Sequence, residues 1–281
     1  MPLDTVFLPH VTCHPSLLMT FPDISPVAFE IGPLVVRWYA LAYVAGILLA
    51  QRYIGWLDRR TGHAILTEKA REDLVVYGVL GIILGGRIGY VIFYNLSEYL
   101  HNPEQVFYIW RGGMSFHGGL TGILIAFWLF ARRFQLRWLQ LMDLLAVATP
   151  IGLFFGRLAN FVNGELYGRV TTVPWGIVFP HGGPLPRHPS QLYEAGLEGL
   201  LLGSLLWFIA TRTKALDYRG ITGGVFIFGY GMARFTVEFF REPDAQLGTL
   251  ALGLSMGQWL CVPMLACGLW LLLTARNKPN A

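Results

Sequence analysis

The chain has 281 residues, of which 54% are hydrophobic and only 14% charged, with a formal net charge of +4. A mean hydropathy of +0.50 and so few charges exclude an ordinary soluble domain, in which about a quarter of the residues are charged. Its cations fall in separate short loops with no nucleic-acid motif, so they speak for membrane topology and attraction to a lipid surface.

Residues 1–20 include Pro2, Asp4, Pro9 and Pro15 and have no basic leader. They therefore do not resemble a cleavable signal peptide, and the first span is expected to act as the insertion signal. Runs of about 20 mainly apolar residues predict spans over Leu34–Trp56, Leu74–Tyr94, Ser115–Ala131, Leu139–Asn160, Gln191–Ile209, Gly223–Phe240 and Met256–Thr274. The third and fifth are diluted by Gly118, Gly119, Glu194 and Glu198. The expected fold is thus an all-α polytopic membrane protein of about seven transmembrane helices, a single membrane domain over residues 1–281.

Between the fourth and fifth spans, Gly164–Pro189 is dense in glycine and proline, which favours turns and short strands. Tyr167–Val170 and Thr172–Phe179 are expected to pair as a small β-rich external cap over residues 164–189. Asn95–Gly113 forms a second external connection. Cationic residues alternate from loop to loop. The first connection carries Arg52, Arg59, Arg60, Lys69 and Arg71, the third Arg132, Arg133 and Arg137, the fifth Arg212, Lys214 and Arg219, and the tail Arg276 and Lys278. Retention of such loops on the cytoplasmic side puts the amino terminus outside and the carboxyl terminus inside.

Two arginines lie within apolar stretches, Arg157 in Gly152–Phe161 and Arg234 in Val225–Phe240. A guanidinium at that depth costs a few kcal/mol on insertion scales and faces a partner or an anionic ligand. Tyr230, Arg234 and Glu238 follow one another at i, i+4 and i+8 on one helical face, with Arg241 near it. An Arg234–Glu238 ion pair that merely fixes helix packing is the plainer reading of that stripe. If the fourth helix continues, Arg157, Asn160 and Gly164 share a face and Glu165 stands at its outer end. A guanidinium flanked by amides suits a phosphate.

His117, among Gly112, Gly113, Gly118 and Gly119, is either a hydrogen-bonded interfacial residue or a base beside a closely approaching ligand. Arg187 and His188 open the fifth span within reach of a headgroup. Arg87 is a third intramembrane arginine, expected to pair with Glu194, Glu198 or Asp143 or to bind a second lipid. Tyr39 is an interface anchor or a hydrogen-bonding group inside the bundle. Gly81, Gly85, Gly86 and Gly89 read as close helix packing. Cys13, Cys261 and Cys267 are too few and scattered for a disulfide framework or a metal site, and Cys261 and Cys267 read as packing residues.

Taken together these segments resemble the prolipoprotein diacylglyceryl transferase family. The most specific is Gly156–Gly168 (GRLANFVNGELYG), supported in order by Arg37–Tyr39, Gly85–Tyr90, Met114–Gly119, Pro186–Glu194, Gly229–Asp244 and Ser255–Gln258. Residues 1–18 lie outside the match and are expected to be an extension or a start-site choice, Met19 preceding the matching part. The resemblance implies transfer of diacylglyceryl from phosphatidylglycerol to the lipobox cysteine of a prolipoprotein signal peptide. It implies a thioether product, released glycerol 1-phosphate, and no metal or organic cofactor. It also implies a bacterial inner-membrane location with the active site toward the periplasmic side. It places functional weight on Tyr39, His117, Arg157, Asn160, Glu165, Gly168, Tyr230, Arg234 and Glu238. His117 is the candidate proton acceptor, Arg157 and Arg234 the stabilisers of phosphate charge, and Glu165 and Glu238 the groups that orient the arginines. Arg87, Arg241 and His188 join them as candidate substrate contacts. The rival class is an anionic-lipid transporter or flippase that uses the same arginines during passage.

Overall fold

The structure, a computed structural model, describes residues 19–62, 65–242 and 251–275. The expectations for residues 1–18, Cys13, Asp244 and the basic tail Arg276 and Lys278 lie outside the described residues. Strands β1 (Met19–Thr20), β2 (Val27–Ile31) and β3 (Leu34–Arg37) precede helices α1 (Trp38–Thr61) and α2 (Glu68–Phe93). Next come the short α3 (Leu96–His101), then α4 (Phe116–Arg133), α5 (Trp138–Val162) and strand β4 (Ile177–Val178). The chain continues through α6 (Ser190–Glu194), a π-helical turn over Ala195–Leu201, α7 (Leu202–Arg212), α8 (Ile221–Val237) and α9 (Met256–Ala275).

Among the described residues, five helices are long and apolar enough to cross a membrane: Trp38–Thr61, Glu68–Phe93, Trp138–Val162, Ser190–Arg212 and Met256–Ala275. The diluted fifth stretch is among them. The third and sixth expected spans are shorter bodies, α4 with 18 residues and α8 with 17. The first span also starts later than its hydrophobicity suggested. Leu34–Arg37 is extended and pairs antiparallel with Val27–Ile31, because Val35 and Val36 suit a strand as well as a helix.

Local chemistry sets the helix ends. Thr67 accepts the Ala70 N–H at 3.2 Å to cap α2, and Ser115 accepts the Gly118 N–H at 3.2 Å to cap α4. Buried Asp58 accepts the Ile65 and Leu66 N–H groups at 3.0 and 2.9 Å, closing the turn between α1 and α2. Helix α2 packs on α4 along a glycine seam. A methyl group on Gly85 would strike the Gly118 carbonyl and Gly122, so the backbones approach too closely for any side chain. The packing reading of Gly81, Gly85 and Gly89 is therefore borne out. Leu57, Phe130, Leu141, Leu144 and Leu206 fill the core between α1, α4, α5 and α7, and Phe93, Trp270 and Leu273 point outward as lipid-facing residues would.

The segment after α5 pairs differently from expectation. Tyr167–Val170 does not pair with Thr172–Phe179. Instead β4 lies parallel to β1, while Val170 and Ile177 both bridge to Arg187 and Gly168 bridges to Arg241. Glycine and proline at close spacing leave no uninterrupted run for a hairpin ladder, so the segment is stitched to distant chain. Asn95–Gly113 contains α3 and two 3-10 turns, Pro103–Phe107 and Ile109–Arg111.

Candidate active site

Arg157 near the end of α5 and Arg234 near the end of α8 meet at one carboxylate. Glu194, the last residue of α6 and 0% exposed, lies 3.3 Å from Arg157 Nη1, 2.8 Å from Arg234 Nη1 and 3.1 Å from Arg241 Nη1. Glu198, also 0% exposed, accepts from Arg157 Nε and Nη2, both at 3.3 Å. Glu238 Oε2 lies 2.7 Å from Arg234 Nη2 and 3.7 Å from Arg241 Nε. Three arginines thus interlock with three carboxylates.

The expected Arg234–Glu238 pair exists, but as one edge of a cluster spanning three helical elements. Its guanidinium groups are 18–19% exposed while the carboxylates beneath them are buried. Low dielectric strengthens each attraction and makes any unpaired charge costly. The cluster is not fully satisfied. Glu194 Oε2 and Glu238 Oε2 sit at ion-pair distance from arginine nitrogens, yet among the described residues no N–H is aligned on either for a hydrogen bond, and Glu198 Oε1 has no hydrogen-bond partner. Buried acceptors in that state are ready for a ligand or a proton.

The carboxylates owe their positions to local structure. The π-helical turn over Ala195–Leu201 widens the helix directly after Glu194, a distortion often found at functional sites. Gly199 packs on Phe154 of α5 with no space for a side chain. Glu238 Oε1 accepts the Ser255 hydroxyl at 3.0 Å, and Gly257 of α9 is a glycine because a methyl there would meet the Glu238 carboxylate. Cys261 is buried beside the cluster, its thiol donating to the Gly257 carbonyl at 3.1 Å, whereas Cys267 is exposed.

Other expected residues surround this centre. Tyr230 shares the α8 face and lies within electrostatic reach of Arg157, Arg234, Glu194 and Glu198, with its ring near Phe226. Tyr39 faces inward, its hydroxyl 3.0 Å from that of Tyr43 and within electrostatic reach of Glu165 and Arg157. Asn160 is buried and donates to Glu165 Oε1 at 2.8 Å, and Asn163 donates to the same oxygen at 3.3 Å. Glu165 therefore orients asparagines and not arginines, contrary to the expected role. Gly164 does not extend the Arg157 face: α5 ends at Val162 and Gly164 has a φ of 65°, a left-handed conformation suited to glycine.

Gly168 serves the scaffold. Its N–H donates to the His188 carbonyl at 2.8 Å, and a side chain would collide with the Phe240 carbonyl and His188. Arg169 Nε donates to the Arg241 carbonyl at 2.7 Å and Arg187 Nη1 pairs with Glu242 at 2.7 Å, fixing the segment to the chain just beyond α8. Trp175 Nε1 donates to the Tyr193 hydroxyl at 2.7 Å, and that hydroxyl lies 3.1 Å from His188 Nδ1. His188 accordingly sits in a polar chain beside Phe240, with no hydrogen bond or ion pair to the arginines.

One expectation needs correction. Arg87 pairs with none of Glu194, Glu198 or Asp143. It is 5% exposed and donates to the Gln105, Val106, Gly112 and Gly113 carbonyls at 2.5–3.1 Å, with its guanidinium over Tyr99. Carbonyls of the 105–113 connection replace the carboxylates because α2 carries Arg87 to the α4 side of the bundle. His117 stands exposed at the start of α4, edge-on to Phe116, and no hydrogen bond or ion pair joins it to the cluster. Asp143 is occupied at the foot of α8, accepting the Gly220 and Gly223 N–H groups at 2.6 and 2.8 Å and the Thr222 hydroxyl at 3.1 Å.

Glu194 and Glu198 are the cluster carboxylates the sequence reading misplaced, having counted them as dilution of a span and as candidate partners of Arg87. Their spacing of four and the number of intramembrane arginines needing counter-charges were the available signal.

A family model described as prolipoprotein diacylglyceryl transferase matches residues 26–274. A phosphatidylglycerol–prolipoprotein diacylglyceryl transferase of Rhodospirillum rubrum is 53% identical over 265 residues, covering 94% of this chain and 97% of the relative. Relatives with the same name from Allorhizobium ampelinum and Azospirillum brasilense are 55% and 54% identical, covering 92% and 94% of this chain and 93% and 99% of their own lengths. With Arg157, Arg234 and Glu238 in one buried cluster and the match extending over nearly the whole chain, this protein belongs to the prolipoprotein diacylglyceryl transferase family.

Proposed function

We propose that this protein transfers the diacylglyceryl group of phosphatidylglycerol to the lipobox cysteine of a prolipoprotein, the first step of lipoprotein maturation. The observation that carries the site is the sharing of Glu194 by Arg157 and Arg234 at 3.3 and 2.8 Å, from helices far apart in sequence. Two guanidinium groups tied to one carboxylate face the same small volume, where a phosphate can bridge them.

In the reaction the cysteine thiol loses its proton and sulfur forms a bond to the terminal glyceryl carbon. The bond from that carbon to the phosphate oxygen breaks, and its electron pair leaves on glycerol 1-phosphate. Negative charge on the phosphate grows as the diester becomes a monoester, and Arg157 and Arg234 stabilise it at fixed positions. Glu194 and Glu238 hold the two guanidinium planes so that little reorganisation accompanies the step. Tyr230 and Tyr39 flank the lipid head, and Asn160, held by Glu165, supplies a neutral polar wall. His117, exposed at the start of α4, is the candidate proton acceptor for a peptide arriving from outside the cluster. Arg241 extends the cationic edge, while Arg87, His188 and Gly168 support the loops around it. The protein lies in the bacterial cytoplasmic membrane, amino terminus periplasmic and carboxyl terminus cytoplasmic, with residues 164–189 as a periplasmic cap.

The test is incubation of the purified protein with phosphatidylglycerol vesicles and a lipobox peptide. A peptide heavier by one diacylglyceryl group together with free glycerol phosphate is expected. Movement of lipid between leaflets with no change in peptide mass would overturn the proposal in favour of a flippase.

A further inference from the structure

Glu198 is the one cluster carboxylate with a single arginine partner. Glu194 touches three guanidinium groups, and Glu238 touches two and the Ser255 hydroxyl. Among the described residues Glu198 touches Arg157 alone and leaves Oε1 without a hydrogen-bond partner at 0% exposure. Its position is costly, since a buried acceptor without a donor forfeits its hydration. It also occupies Arg157 at the Nε and Nη2 edge, the fork that grips two oxygens of a phosphate side by side.

Charge balance gives the consequence. With all groups ionised, three arginines and three carboxylates cancel. A phosphodiester anion entering this low-dielectric cluster leaves it with one excess negative charge, and a buried uncompensated charge is disfavoured strongly. One carboxylate can restore neutrality by taking up a proton, and the one with fewest favourable contacts does so at least cost. We propose that Glu198 takes up a proton as phosphatidylglycerol enters and thereby releases the Nε and Nη2 edge of Arg157 to the phosphate. This rests on phosphatidylglycerol being the ligand, as proposed above.

Every packed element bears on that proton. Burial works against the charge of Glu198, Arg157 on α5 and Arg234 on α8 attract it, and Glu194 on the same helix opposes it. Tyr230 on α8 and Cys261 on α9 also lie within its electrostatic reach. The lipid phosphodiester keeps a single charge throughout the neutral range, so a pH dependence of its binding reports on the protein. Glu198 acts through Arg157 and is a positioning residue.

The experiment is equilibrium binding of phosphatidylglycerol to the full-length protein in phosphatidylcholine nanodiscs, without peptide, across about pH 5 to 9. Proton uptake is read in parallel with an indicator dye in weak buffer. The wild type is expected to take up close to one proton per lipid bound and to lose affinity by up to about tenfold per pH unit through part of the range. Glu198→Gln, a permanent mimic of the protonated acid, is expected to abolish uptake, flatten the profile and bind more tightly than wild type at the alkaline end. Glu198→Asp is expected to restore the slope, which separates ionisation from packing. Absence of proton uptake by the wild type, or a Glu198→Gln protein with an unchanged slope, overturns the inference. Should Glu198→Gln fail to fold, the wild-type uptake and the Glu198→Asp slope decide alone. Because no transfer is measured, proton-coupled binding without transferase activity would sink the proposed reaction and leave this inference standing.

Discussion

Asp143→Ala should destabilise the protein more than any substitution at an exposed position, and should carry Arg234 out of register as it does so. Helix α8 begins at Ile221 behind Gly220, a left-handed residue (φ 93°) with no side chain to cap it. The free N–H groups of its first turn are met from α5 instead. Asp143, 1% exposed, accepts from Gly220 N–H at 2.6 Å, Gly223 N–H at 2.8 Å and the Thr222 hydroxyl at 3.1 Å. Hydrogen bonds to a charged acceptor contribute about 1.5–3 kcal/mol each, offset by the cost of burying the carboxylate. Removing the carboxylate leaves two N–H groups and a hydroxyl unpaired at about 1–3 kcal/mol each, a loss of about 3–5 kcal/mol net of the relieved carboxylate burial. A loss of that size lowers the melting temperature by on the order of 10 °C. Thermal unfolding in detergent, followed by tryptophan fluorescence, measures it, with Thr222→Val as a milder control losing about 1 kcal/mol. Transfer activity should fall even at temperatures where the variant remains folded, since α8 carries Tyr230, Arg234 and Glu238. A melting temperature within about 2 °C of wild type would refute the claim that this carboxylate anchors α8.

Arg157→Lys and Arg234→Lys, which keep the charge but lose the planar fork, should each reduce kcat by about 100-fold or more, and near-normal turnover of a folded variant would remove that arginine from charge stabilisation. Gly85→Val should prevent α2 from seating on α4, because its side chain would enter the Gly118 and Gly122 backbone; membrane-inserted yield and protease resistance report it. Burial holds the His188 imidazole below its usual range, so the folded state favours the neutral ring. That contribution is complete above about pH 6.5 and is lost as pH falls through the lowered folded value. His188→Gln should therefore lessen the acid-side fall of the melting temperature, and an unchanged acid limb would refute the assignment.

Hydrophobic runs and glycine spacing made most of the bundle legible, because the bilayer demands about 20 apolar residues per crossing whatever their neighbours. Five stretches became helices of crossing length, and the α2–α4 seam followed from Gly81, Gly85 and Gly89. The strand pairing of Leu34–Arg37 was not legible, since valines fit strand and span alike. Nor was the route of Thr172–Phe179, whose partners are β1 and Arg187 rather than the neighbouring segment.

The amino-acid sequence by itself determined that Arg157 and Arg234 are costly residues in apolar helices, and that Tyr230, Arg234 and Glu238 share a face, because i, i+4 spacing is a local property of a helix. Only the tertiary structure decided which counter-charges they meet. Arg87 went to backbone carbonyls, Asp143 to the foot of α8, and Glu194 and Glu198 to the arginine cluster. Each of those acids lies tens of residues from its partner along the chain, and a buried charge takes whatever opposite charge or backbone dipole the helix packing brings within reach, which no spacing along the chain encodes.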